Sequence, residues 1–141
     1  MKYKLNLKFI VMSSMMMFTF ISQGLAQENT KVEKAEKNFC NSVTSFIVSL
    51  EVLDEANDSS SMDEFNTAYK KADKAYNKMI KSADKLENVE VKESVKAYNK
   101  LVNSINKIEG DTKTDDATDQ INSHIDATTD EISDILTVIC K

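Results

Sequence analysis

The chain has no proline and only two glycines, Gly24 and Gly110, in 141 residues. Tight hairpins and long irregular connections depend on these two residue types, so their scarcity argues against sheets and structureless loops. What remains is a set of long helices joined by a few short connections.

The hydrophobic spacing agrees. Val32, Ala35, Phe39, Val43, Phe46, Leu50 and Leu53 recur every three or four residues, as on a helix with one buried stripe. Thr30 and Glu33 form a capping box that predicts its start, and the polar run from Asn57 to Ser61 predicts its end. A second capping box, Ser61 and Glu64, leads into Met62, Phe65, Tyr69, Ala72, Tyr76, Met79, Ala83 and Leu86. Continued past Leu86, that stripe would fall on Glu90, Glu93, Ala97, Lys100 and Ser104. The apolar residues present are instead Val91, Val95, Tyr98, Val102, Ile105 and Ile108. A slip of one position turns the face by about 100°, which predicts a break near Glu87 to Glu90 with Asn88 as a cap. Gly110 is expected to end the third helix. Thr112 or Thr114, followed by Asp115 and Asp116, predicts the start of a fourth, whose stripe is Ile121, Ile125, Thr128, Ile132, Ile135 and Ile139, with Leu136 alongside.

Two cysteines, Cys40 and Cys140, stand near the two ends of this helical region. A bridge between them requires the start of the first helix and the end of the last to share one end of the bundle, which an even number of alternating helices provides. The expected fold is therefore all-α: an antiparallel up-and-down four-helix bundle closed by one disulfide. The heights match imperfectly, since Cys40 to Ala56 spans about 24 Å of helix and Thr114 to Cys140 about 39 Å. The alternative is three helices with one long central helix from Met62 to Glu109.

Lys2, Lys4 and Lys8 precede an apolar stretch from Phe9 to Ser22, and Gly24-Leu25-Ala26 follows with small residues at the cleavage positions. This pattern predicts a signal peptide over residues 1–26, cut between Ala26 and Gln27, and a single helical-bundle domain over 27–141. The apolar stretch is shorter than the ~20 residues that span a bilayer, so no membrane span is expected after processing. The localisation expected is secreted or periplasmic, an oxidising setting in which a Cys40–Cys140 disulfide is the default.

All 18 basic residues are lysine, against 23 acidic ones, a net charge of −5 that becomes −8 once Lys2, Lys4 and Lys8 leave. Without arginine or clustered excess cation, nucleic acid is not an expected partner. The charge is segregated: Met62 to Glu109 holds ten lysines against eight acids, whereas Gly110 to Lys141 holds two against eight. Lys70, Lys74, Lys78, Lys81 and Lys85 recur opposite the apolar stripe of the second helix, a basic ridge suited to an acidic partner or an anionic surface.

Other chemistry finds little to work with. His124 is the only histidine, and Gln120, Ile121, Ala127 and Thr128 surround it on the helix, so no metal or haem site is expected there. Asp115, Asp116 and Asp119 lack the ligand spacing of a calcium loop. No catalytic residues, cofactor or metal are expected, since no nucleophile has a histidine base nearby and no glycine-rich phosphate loop is present. Asn57-Asp58-Ser59 forms a glycosylation sequon. The function expected is an exported, non-catalytic binding protein acting outside the cytoplasm on a protein, peptide or anionic surface through an exposed helical face. The alternative is a small-ligand or metal carrier with a site between the helices, bordered by Tyr69, Tyr76 or Tyr98.

Overall fold

A computed structural model of the chain describes residues 7–59, 61–87, 89–108 and 113–140, with side chains from residue 28 onward. Four helices follow one another: α1 (Leu7–Asp58), α2 (Met62–Ala83), α3 (Lys92–Ile105) and α4 (Asp115–Ile139). No strand occurs among the described residues. The chain divides into two compact units, Met1–Lys34 and Ala35–Lys141, and the second holds the four-helix bundle. Residues 1–6 of the expected leader lie outside the described residues, and its remainder is the first part of α1. No helix among the described residues is long and apolar enough to cross a membrane.

The capping box at Thr30 and Glu33 does not begin a helix, because α1 already runs through it from Leu7. Between those residues there is no proline, and Gly24 alone costs only about 1 kcal/mol within a helix, so nothing interrupts the backbone. Two further expected caps, at Ser61 and Thr114, are in place. Ser61 Oγ accepts from the Glu64 amide at 3.3 Å, and Thr114 Oγ1 accepts from the Ala117 amide at 3.2 Å. The return arm of the second capping box passes through Ser59: its hydroxyl donates to Glu64 Oε2 at 2.9 Å and accepts from the Ser61 amide at 3.2 Å.

The long central helix of the alternative layout is excluded. α2 ends at Ala83, where Lys85 N donates to Ser82 O and Leu86 N to Ala83 O, tightening the chain into a final 3₁₀ turn. α3 begins only at Lys92, after Val91, which contributes no side-chain cap; Asn88, the expected cap, lies outside the described residues. α3 also stops earlier than expected, at Ile105, with a 3₁₀ turn through Lys107 and Ile108; Gly110 and Thr112 are outside the described residues.

Burial follows the expected stripes closely in three helices. Phe39, Val43, Phe46, Leu50 and Leu53 of α1 are fully buried, as are Phe65, Ala72 and Met79 of α2 and Ile121 and Ile132 of α4. Val32, at 48% exposure, lies outside this core. In α3 the buried face is Ser94, Tyr98, Leu101, Ser104 and Ile105, while Val91, Val95, Val102 and Ile108 are half-buried. The face is turned by roughly 50° from the expected one. Two small serines, Ser94 and Ser104, are buried on this face beside the fully buried Leu101, and α3 lies along α4.

Cys40 and Cys140 are bonded, with their Cα atoms 5.6 Å apart. From this bridge α1 and α4 run antiparallel to a second fixed point, where Asn57 Nδ2 donates to Thr118 O at 2.9 Å and to Asn122 Oδ1 at 2.6 Å. The height mismatch is thereby resolved: Asn57 stands level with residues 118–122, and the first turn of α4 overhangs the end of α1. Lys113 turns back across that overhang. Its Nζ donates to the carbonyls of Ala56 and Asn57 and lies 4.4 Å from the centre of the Phe65 ring. A cation on the last carbonyls of a helix satisfies acceptors that have no intrahelical donor. Burial lowers the Lys113 pKa, and the Asp58 charge opposes that shift.

Asn57, only 1% exposed, is the hub of this junction. Asn57→Ala is expected to cost about 1–3 kcal/mol, because Asn122 and the Thr118 carbonyl lose their donor. Urea unfolding followed at 222 nm measures it, and a change below about 0.5 kcal/mol, the range of a neutral surface substitution, would contradict it.

Candidate interaction surface

The phase of α2 is fixed by its buried Phe65, Ala68, Ala72, Met79 and Ala83, which leaves the opposite side to solvent. On that side Lys70, Lys74, Lys78, Lys81 and Lys85 are all exposed. The structure brings four of the five together in an open groove of about 850 Å³. Lys74, Lys78, Lys81 and Lys85 line one wall, and Asn38 and Asn41 of α1 line the other. Lys70 continues the row beyond the groove. Among the described residues the only ion pair is Lys96–Glu93 on α3, at 2.7 Å, so none of the ridge lysines is neutralised by direct pairing.

The groove contains one carboxylate, Asp73, and it is already engaged. Asp73 Oδ1 accepts from the Tyr98 hydroxyl at 3.2 Å, and its Oδ2 accepts from Asn77 Nδ2 at 3.1 Å. Burial raises the pKa values of Tyr69, Tyr76 and Tyr98, and the Asp73 charge adds to each shift. The Tyr98 hydroxyl therefore keeps its proton and remains a donor to Asp73 throughout the neutral range.

Two other grooves have the opposite sign. One, of about 470 Å³ near the α1–α2 connection, sets Glu55, Asp63 and Glu64 against Lys71. The second, of about 460 Å³, sets Glu90, Glu93, Glu131 and Asp134 against Lys92, around Ile135 and Val138. Of the three, only the α1–α2 lysine groove is cationic.

His124 is half-buried, and its backbone carbonyl accepts from Thr128 Oγ1 at 2.6 Å. Asp115, Asp116 and Asp119 are exposed on the first turns of α4. Among the described residues no three histidine, cysteine or acidic side chains gather as a metal site. Tyr76 stacks on Tyr98 with ring centres 4.0 Å apart, and Phe46 meets them at 5.5 and 5.4 Å, so these rings pack against one another in the core. None of the tyrosines lines any of the three grooves. Both amide hydrogen bonds of Asn57 point inward, which leaves the sequon asparagine inaccessible in the folded chain.

Asn38, Asn41 and Asn77 carry no signal in the sequence that marks them as groove residues. They lie off the apolar stripes, and only the pairing of α1 with α2 gives them a common groove. No family model, curated protein or solved structure matches the chain.

Proposed function

We propose that this is an exported, non-catalytic binding protein that holds a negatively charged partner outside the cytoplasm in the lysine groove between α1 and α2. The observation that carries the reading is the row of exposed lysines at 74, 78, 81 and 85 with no ion pair of their own among the described residues. Parallel cationic side chains held on one rigid helix repel one another, and an anion seated among them relieves that repulsion. Asn38, Asn41 and Asn77 add amide donors beside the cations, and Asp73 is held by Tyr98 and Asn77. Export rests on the lysine-led apolar leader and its small-residue cleavage site at Ala26 and Gln27, together with a disulfide suited to an oxidising compartment.

The triple substitution Lys74→Glu, Lys78→Glu, Lys81→Glu is expected to reduce capture of the partner at least about tenfold, the equivalent of losing several exposed charge contacts. The mature protein, immobilised and exposed to the extracytoplasmic fraction of its own host, provides the assay. Helix content and melting midpoint should stay near the parent values, since all three side chains are exposed. Unchanged capture would remove the lysine face from the reading.

A further inference from the structure

We propose that α4 of a second copy of this chain is the anionic partner of the lysine groove, so that the protein associates with itself head to tail. The proposal rests on the reading of the groove given above. Lys70, Lys74, Lys78, Lys81 and Lys85 advance by four, four, three and four residues. On α4, Asp115, Asp119, Ser123, Asp126 and Asp130 advance by the same intervals, and all five are exposed. The four aspartates fall within about 60° of one another around the helix.

Laid parallel, the two rows bring Lys70, Lys74, Lys81 and Lys85 opposite Asp115, Asp119, Asp126 and Asp130, with Ser123 facing Lys78. The match extends over 15 residues, about 22 Å of helix. A groove between two helices is also the shape into which a third helix fits. Crowding on the acidic side points the same way. Burial raises the Asp54 pKa, and the nearby charges of Asp58 and Asp126 raise it further, a repulsion that a docked row of lysines would relieve.

The topology decides the symmetry. α1 touches α2 through Phe46 and Tyr76 and touches α4 through the disulfide and Asn57. α3 touches α2 through Tyr98 and Asp73 and lies along α4. α2 and α4 therefore occupy opposite corners. One pair of copies cannot exchange both contacts at once, so the interface is heterologous and each added copy leaves one groove and one acidic face open.

Exposed ion pairs are weak singly and are screened by salt, so association is expected at low ionic strength and not at high. Sedimentation equilibrium of the mature, disulfide-bonded chain tests this at about 0.01 M and about 1 M salt, where the screening length falls from about 30 to about 3 Å. The mass average should rise above the monomer with concentration at low salt and return to the monomer at high salt. The quadruple variant Lys74→Glu, Lys78→Glu, Lys81→Glu, Lys85→Glu and the triple variant Asp119→Lys, Asp126→Lys, Asp130→Lys should each lose association at least about tenfold. An equimolar mixture of the two should regain it, which a misfolded variant could not do. A parent chain that stays monomeric at low salt, or a triple aspartate variant that associates like the parent, overturns the proposal. If the parent is monomeric while lysine substitution still abolishes capture of another partner, self-association is removed and the groove's binding role stands.

Discussion

Replacing both Cys40 and Cys140 with serine is expected to lower stability by about 4–5 kcal/mol, most of what a small domain possesses. The two cysteines are 100 residues apart in sequence, so the bond restricts an unfolded chain that would otherwise explore a very long loop. It also secures the last residue of α4's cap, since the Cys140 amide donates to Leu136 O at 3.0 Å and no cationic residue occupies the last turn. At about 4 °C per kcal/mol for a domain of about 115 residues, the melting midpoint should fall by about 15–20 °C. Thermal denaturation at 222 nm, run on the oxidised parent, the reduced parent and the double serine variant, measures it. The reduced parent and the variant should agree. A fall of less than about 5 °C would mean that packing between α1 and α4 suffices without the bond, and the disulfide would then say little about the compartment in which the protein works.

Which parts of this architecture are legible in the sequence depends on how local their causes are. Helix number, the inward faces of α1, α2 and α4, and the caps at Ser61 and Thr114 follow from spacing within a single segment, where the 3.6-residue period acts directly. The rotation of α3 has a different origin. Its apolar residues centre on Val95 and Val102, but the buried face also takes in Ser94 and Ser104, and which side of α3 turns inward depends on its packing along α4, a long-range contact that local spacing does not encode. The junction of Asn57, Lys113 and Asn122 joins residues 56 to 65 positions apart, and nothing in a polar loop reveals which of its members will be buried. The lysine row was legible for the same reason the stripes were. Its opposite wall, Asn38 and Asn41, required knowing how α1 and α2 pair. Thr30 and Glu33 had a helix-starting pattern, but such a signal has no effect where the helix is already running.

Phe46→Ala is expected to cost about 3–5 kcal/mol, the largest effect of any single side-chain truncation proposed for this core. Phe46 is fully buried and meets Tyr98 nearly edge-on, with 81° between the ring planes, and Tyr76 at 57°. Among the described residues it is the one ring of α1 that touches both α2 and α3 through their aromatic residues, so no single neighbour can close the space left behind. Tyr76 and Tyr98 are themselves stacked, and Tyr98 is tied to Asp73 through its hydroxyl, which limits how far either ring can move toward the gap. A site that cannot collapse keeps its cavity, and the cavity adds to the loss of buried surface. Urea unfolding measures the cost. Near-ultraviolet circular dichroism of the tyrosines reports the stack directly, because the chain has no tryptophan. Val48→Ala is the matched control on the same helix: Val48 is 51% exposed, and its truncation should change stability by no more than about 0.5 kcal/mol. A cost below about 2 kcal/mol at Phe46 with an unchanged tyrosine spectrum would mean that the helices close around the gap. The three rings would then fill the core without fixing the spacing of α1 and α2 on which the lysine groove depends.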